Sequence, residues 1–277
     1  LAGMAFATTM RYEMEISHHF AVPLRYGENP HQRGSLIKSN QGVAGAKRLD
    51  AAKGKELSYN NFLDADAAWS AVSDHPTHAV AIIKHGNPCG IAIAAEPRTA
   101  FRKALECDPV SSYGGVVGFN STVDGRIAQD LSEIFLEVII APEFTEEAID
   151  ILNKKKDLRI LQVDNPTQLG ASTGHLISGG LLLQERDVIL QDPMEWDLVS
   201  GVAADRRVLD NLKFAWRSTR AVKSNAIIIA RDGATVGIGM GQVSRVDSAK
   251  LAVSRAGIRS EGAVAASDGF FPFSDGA

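Results

Sequence analysis

Lys84 and His85 stand side by side at the end of an apolar run, Val80-Ala81-Ile82-Ile83, and directly before Gly86-Asn87-Pro88. An ammonium next to an imidazole disfavours a second positive charge on the ring. A ring kept neutral in this way serves as a proton acceptor near neutral pH. The end of a buried strand, just before a tight turn, is also where α/β proteins place their sites. A solvated loop with an ordinary Lys-His pair fits the same spacing equally well. The segment invites a zinc reading too, because Pro88-Cys89 follows the histidine. Zinc nucleobase deaminases need His-x-Glu and Pro-Cys-x-x-Cys. Here Asn87 and Ala92 occupy the positions of the glutamate and the second thiolate. A tetrahedral zinc site is therefore not expected.

Four further segments carry chemistry-bearing side chains. In Leu24-Arg25-Tyr26-Gly27-Glu28-Asn29-Pro30-His31-Gln32, Arg25 offers a planar fork suited to phosphate and Tyr26 a hydroxyl donor. A capping loop with one exposed arginine is the plainer alternative. Gly237-Ile238-Gly239-Met240-Gly241-Gln242 resembles a phosphate-cradling loop but does not meet the dinucleotide fingerprint, so close backbone approach is the preferred reading. Ser224-Asn225 precedes a buried strand, where an Asn amide either donates to a carbonyl oxygen gaining charge or simply caps the strand. Ser267-Asp268-Gly269-Phe270-Phe271-Pro272-Phe273-Ser274-Asp275 pairs aromatic rings with carboxylates, a combination suited to a flat heterocycle and equally to plain core.

These residues must be positioned by elements the pattern makes visible. Residues 1–20 have helical spacing, and Pro23 to Pro30 reads as irregular. Asn60 and Asn61 are placed to cap a helix through Ala65, Ala68 and Trp69. Residues 80–83 read as a buried strand that ends in a Gly/Pro loop at 84–88, followed by a helix at 98–106 and a Gly-rich strand at 114–119. A helix at 126–135, a strand at 138–140 and a helix capped by Thr145 follow, the last with Glu146 and Glu147 in its first turn. Residues 163–178 read as irregular and 181–183 as a strand. Residues 203–217 form an amphipathic helix presenting Val208, Leu212 and Ala215. Asp232-Gly233 between apolar runs marks a hairpin, 225–230 with 234–239. A helix at 247–255 and a strand at 263–266 complete the chain. Alternating strands and helices define an α/β fold. Strand, polar loop, helix and Gly-rich strand occur near 80–119 and again near 225–266, which suggests two similar subdomains with a site between them.

The 277 residues, 45% apolar and 22% charged with a net charge of −4, have the composition of a globular protein able to build a large core. Neither a nucleic-acid surface nor a membrane span is expected from this charge and patterning. Two cysteines, Cys89 and Cys107, make no disulfide framework, so a reducing, cytoplasmic setting is expected. Both ends have the look of cuts: the chain starts at Leu1 in mid-pattern and stops shortly after Phe270-Phe271-Pro272-Phe273.

Taken together, eight stretches in order resemble one family: LRYGENPHQ (24–32), LSYNNFLDADAAW (57–69), KHGNPCG (84–90), DPVSSYGGVVGFN (108–120), VIIAP (138–142), KSNAIIIA (223–230), VGIGMGQVSR (236–245) and SDGFFPF (267–273). They look like the transformylase domain of the bifunctional AICAR formyltransferase/IMP cyclohydrolase family of purine synthesis. The resemblance implies two cytidine-deaminase-like layered subdomains without zinc, with possible boundaries at 21–165 and 166–277. Residues 1–20 then stand for the last helix of an upstream cyclohydrolase domain, and residues 21–277 for a formyltransferase domain lacking its C-terminal tail.

The implied reaction moves a formyl group from 10-formyltetrahydrofolate to the 5-amino group of the imidazole carboxamide ribonucleotide AICAR. The resemblance casts His85 as base, Lys84 as oxyanion stabiliser or acid, and Asn225 as the group polarising the formyl oxygen. It assigns the ribonucleotide phosphate to Arg25 and Tyr26 and its carboxamide to Asn61. By the same resemblance Arg245, Phe270, Phe273, Asp275 and Glu137 are expected to line the folate pocket, Glu137 standing where some members carry Asp. It further implies a homodimer with shared sites and a monovalent cation, potassium, near Val222 and Ser224. A deaminase-like fold acting only as a nucleotide-binding or dimerisation module is the alternative.

Overall fold

A strand reading Ala79-Val80-Ala81-Ile82-Ile83 has no polar side chain on either face, so both faces must be covered. The computed structural model describes residues 2–38, 42–50, 56–163, 172–187 and 196–273 and shows how this is done. In chain order the elements are α1 (Ala2–His19), β1 (Val22–Pro23), β2 (Ser35–Leu36), α2 (Gly42–Gly45), β3 (Lys47–Arg48), α3 (Tyr59–Ser73), β4 (Ala79–Lys84), β5 (Asn87–Ile93), α4 (Pro97–Cys107), β6 (Gly115–Phe119), α5 (Gly125–Ser132), β7 (Leu136–Ala141), α6 (Glu146–Leu152), β8 (Arg159–Gln162), β9 (Ser172–Ile177), β10 (Gly180–Glu185), α7 (Arg206–Thr219), β11 (Ile227–Arg231), β12 (Ala234–Gly239), α8 (Arg245–Ala256) and β13 (Val264–Ser267).

Among the described residues, nine strands form one mixed sheet in the order β13-β11-β12-β5-β4-β6-β7-β8-β3. Strands β6, β7 and β8 run parallel and the other pairings are antiparallel. One face buries Ala81, Ile83, Val116, Val138 and Ile228 against Trp69 and Val72 of α3 and Phe214 of α7. The other buries Val80, Ile82, Val117, Phe119 and Ile139 against Phe101 and Ala104 of α4, Ile127 and Leu131 of α5, and Leu152 of α6. Helix α8 covers Ile227, Ile229 and Val236 with Ala252 and Ala256. The α/β class expected from the sequence is the class observed.

The duplication suggested by the pattern is present as a helix-hairpin-helix-strand unit. It occurs first as α3-β4-β5-α4-β6 and again as α7-β11-β12-α8-β13. The two units meet where β5 pairs with β12, Ala92 opposite Ala234, so both halves share one continuous sheet. The subdomain boundary at 165/166 lies outside the described residues.

Four local expectations change. The segment after Lys84 is not a loop leading to a helix; Asn87–Ile93 is a buried strand, which Pro88 and Gly90 had disguised as breakers. Helix α3 is capped by Ser58, not by Asn60 or Asn61, because the Ser58 side chain accepts from Asn61 N while the Asn61 side chain accepts from Ser58 N. Helix α7 buries Asn211, Phe214, Ala215 and Ser218 and leaves Val208 exposed, because Asp205 caps it and Val208 lies in its first turn, off the buried face. Residues 172–177 are a strand, β9, paired with β10 in a separate hairpin.

Candidate functional site

Strand β4 ends at Lys84, which pairs with Asn87 across a two-residue turn. His85 and Gly86 both have positive φ, 55° and 68°, as a hairpin turn matched to strand twist requires. A histidine in the left-handed region costs about 1–2 kcal/mol. Asp64 of α3 offsets this cost, accepting from His85 N at 3.1 Å and Gly86 N at 2.6 Å. The Lys84 ammonium donates to Tyr113 O at 2.7 Å, and the exposed Tyr113 ring lies 5.1 Å from that of Phe135. Thus the backbone of the turn is pinned while the His85 ring remains exposed.

A second group forms around the start of α3. The loop carrying Arg25 and Tyr26 is closed by Leu24 N to Gly34 O and Gly27 N to Gln32 O, and the Arg25 guanidinium lies 5.4 Å from the Tyr26 ring centre. Asn60 Nδ2 donates to Glu28 O at 3.1 Å, docking this loop on the helix. Asn61 is buried; its Nδ2 donates to Glu137 Oε2 at 2.6 Å. Buried Arg159 lies nearby. Burial pulls its pKa below the usual value, Glu137 opposes that shift, and the charges of Arg25 and Arg48 reinforce it. The Glu137 carboxylate is thus held by Asn61 and lies within the electrostatic reach of Arg159.

The third group centres on Asn225. Its Nδ2 donates to Gln242 O at 2.9 Å and Val243 O at 3.2 Å, and its Oδ1 accepts from Arg245 at 2.8 Å. Arg245 also donates to Ser267 Oγ at 2.6 Å and to the Asp268 carboxylate, and its guanidinium lies 6.0 Å from the Phe271 ring. Burial raises the Asp268 pKa, but hydrogen bonds from Arg245, Ser224 and Ala226 N outweigh it and hold the carboxyl below its ordinary range. Asn225 thus has its amide hydrogens engaged in pinning the 240–243 turn, and Arg245 ties α8 to the end of β13. Phe270 and Phe273 are 82% and 74% exposed, which removes the reading of them as core. Asp275 lies outside the described residues.

All three groups share one end of the sheet. Lys84 ends β4, Glu137 opens β7 and Arg159 opens β8, while Asn225 precedes β11 and Asp268 follows β13. The first and third groups touch through Lys223. Its Nζ lies 3.5 Å from where a Cβ on Gly86 would stand. Two open clefts of about 610 and 640 Å³ lie at the opposite end, sharing His78 and Asn120. The Asn120 amide there is already spent on the carbonyls of Val72, His75 and Thr77, so the chemistry-bearing residues occupy an open face instead. Among the described residues, no three His, Cys, Asp or Glu side chains gather as a metal site. Sequence reasoning missed Asp64, Arg159 and Lys223. Only Asp64 had a local signal, three residues after Asn61 on the same side of a helix.

Fold and site together define a three-layered α/β protein with the Lys84-His85 turn and Lys223 at one end of a mixed sheet. Comparison with known proteins then identifies the lineage. A family model for the AICARFT/IMPCHase bienzyme matches residues 1–255, and the chain belongs to that family. It is 54% identical over 257 residues to the bifunctional purine biosynthesis protein PurH of Mycobacterium marinum (strain ATCC BAA-535 / M), and equally to that of Mycobacterium ulcerans (strain Agy99). Each match covers 91% of this chain and 49% of the relative, so the chain spans about half the length of these proteins.

Proposed function

We propose that the chain carries formyl transfer from 10-formyltetrahydrofolate to the 5-amino group of AICAR. The observation that carries this reading is the pinned Lys84-His85 turn, whose imidazole is exposed while the Lys223 ammonium reaches Gly86 of the same turn. The amine is a weak nucleophile because its lone pair is delocalised into the imidazole and its carboxamide. His85 accepts its proton as the nitrogen attacks the formyl carbon. The new C–N bond forms, the bond from the formyl carbon to the folate N10 breaks, and the proton passes to N10. Lys84, with an ammonium donor beyond the one spent on Tyr113 O, faces the negative charge of the tetrahedral intermediate.

On this reading Arg25 and Tyr26 hold the ribonucleotide phosphate, with Arg159 adding to the positive field. Asn61, with Glu137, orients the carboxamide and the folate; Arg245, Phe270, Phe273 and Asp275 form the rest of the folate wall. Residues 21–277 make up the transferring unit, and α1 leads into it from a cyclohydrolase domain of the parent protein. The repeated units are taken as zinc-free deaminase-like layers, and a potassium ion near Val222 and Ser224 completes the reading. An open face suits a site finished by a second subunit. The β9-β10 hairpin supports dimerisation: Leu176, Ile177, Leu182 and Leu183 are exposed on its two faces, and a lone two-stranded hairpin is marginal in water. No helix among the described residues is long and apolar enough to cross a membrane.

The test is formyl transfer by the full-length parent. His85→Ala is expected to abolish turnover and Lys84→Ala to reduce it by roughly 100-fold or more. Near-parental turnover in His85→Ala removes this mechanism. Binding of AICAR without any transfer by the parent favours the nucleotide-binding module instead.

A further inference from the structure

Lys223 sits in the connection between α7 and β11, and none of the roles assigned so far includes it. Its backbone is fixed, since Gly241 N donates to Lys223 O at 3.0 Å. Its side chain folds over the β4-β5 turn: Nζ and Cε lie 3.5 and 3.7 Å from the point where a Cβ on Gly86 would stand. The φ of 68° at Gly86 suits a residue without a side chain, and the ammonium lies at ordinary packing distance from this position. The residue is exposed, and its ammonium has neither a hydrogen bond nor an ion pair among the described residues. An ordinary solvated lysine extends away from the surface. This one instead brings its ammonium to the residue after His85.

The neighbouring amide strengthens the case. Both Asn225 Nδ2 contacts end on backbone carbonyls, of Gln242 and Val243, and its Oδ1 faces Arg245. The residue expected to donate to the formyl oxygen is thus occupied, and the side chain two positions earlier supplies free N–H donors facing the same turn. We propose that Lys223 is the second oxyanion donor of this centre, holding the formyl oxygen between its ammonium and that of Lys84. The inference rests on the formyl-transfer reading above. It involves no covalent change at Lys223: the ammonium donates a hydrogen bond while charge builds on the formyl oxygen and is released as the bond to N10 breaks.

The experiment compares the full-length enzyme with its Lys223→Ala and Lys223→Arg variants under saturating AICAR and 10-formyltetrahydrofolate. Lys223→Ala is expected to lose roughly 100- to 1,000-fold in kcat, the range for removing one oxyanion donor. Its thermal midpoint and its AICAR dissociation constant are expected to match the parent. Added ethylammonium should restore at least about tenfold of the lost rate, which a merely structural lysine would not allow. Lys223→Arg should retain more activity than Lys223→Ala. An active parent with Lys223→Ala within about threefold of its kcat, or a loss confined to KM, overturns the inference alone. A parent that transfers no formyl group overturns the functional reading, and this inference falls with it.

Discussion

At the scale of single residues, the proposed base is a histidine held in an unfavourable backbone conformation by a carboxylate on another element. Asp64 spends both oxygens on the two amides of the turn, at 3.1 and 2.6 Å. Hydrogen bonds to a charged acceptor contribute about 1.5–3 kcal/mol each, enough to offset the strain at His85. Asp64→Ala is therefore expected to release the turn, lowering formyl transfer roughly 10- to 100-fold through misplacement of the imidazole. The AICAR dissociation constant should change far less, because the residues assigned to phosphate lie elsewhere. Paired kcat and equilibrium-binding measurements check this, and an unchanged kcat would show that the turn is held without Asp64.

At the scale of elements, the repeated unit depends on helices lying almost on the backbone of the hairpin strands. A Cβ on Gly90 would stand 2.0 Å from Ala104 O of α4, and one on Gly237 would stand 2.1 Å from Ala252 O of α8. These are equivalent places in the two units, so the same close approach is used twice. Gly237 belongs to the segment that looks like a phosphate loop, and its role is this helix contact. Gly90→Ala and Gly237→Ala should each push a helix off the sheet at a cost of about 1–3 kcal/mol or more. Gly180→Ala is the contrast: its added Cβ meets nothing closer than an Ile177 side-chain atom at 3.7 Å, and stability should stay within about 0.5 kcal/mol. Urea unfolding of the three variants distinguishes these outcomes.

At the scale of the whole molecule, acid should loosen the seam between the two units. His75, after α3, is buried against Phe214 of α7 with ring centres 5.3 Å apart, and its Nε2 has no partner among the described residues. Burial, helped by the charge of Arg217, lowers its pKa to about 3. A histidine kept neutral when folded takes no proton until well below the point where the unfolded chain does. Its effect is nil above the unfolded value near 6.5, and stability falls with pH from there down to about 3. The loss is roughly 2 kcal/mol at pH 5. The carboxylate of Asp74 next door acts oppositely. Burial raises its pKa despite Arg220, so protonation near the carboxylate range relieves rather than adds strain. Asp130, held low by hydrogen bonds from Arg98 and Arg102, loses its contribution only below about pH 4. Because desolvation also shifts the carboxyls of Asp66 and Asp74 upward, the difference between parent and variant profiles isolates His75. His75→Phe should flatten the stability profile between about pH 6.5 and 4.5, as read by thermal melts across pH.

What the sequence by itself determined is whatever short-range rules govern. Continuous apolar runs at 80–83 and 227–230 require strands buried on two faces, Asp232-Gly233 specifies a hairpin, and Thr145 starts a helix; each appears where expected. Lys84 and His85 were legible because they are adjacent and sit at a strand end. Strand β5 was not, since Pro88 and Gly90 break a propensity pattern while serving tertiary needs, a strand beginning and a helix contact. Only the folded chain decided that Asn61 answers Glu137, that the Asn225 amide is spent on its own turn, and that Lys223 reaches Gly86. Propensity and periodicity act over a few residues. A side chain's partner is chosen by how distant elements stack, and here that choice was made when β5 and β12 joined two repeated units into one sheet.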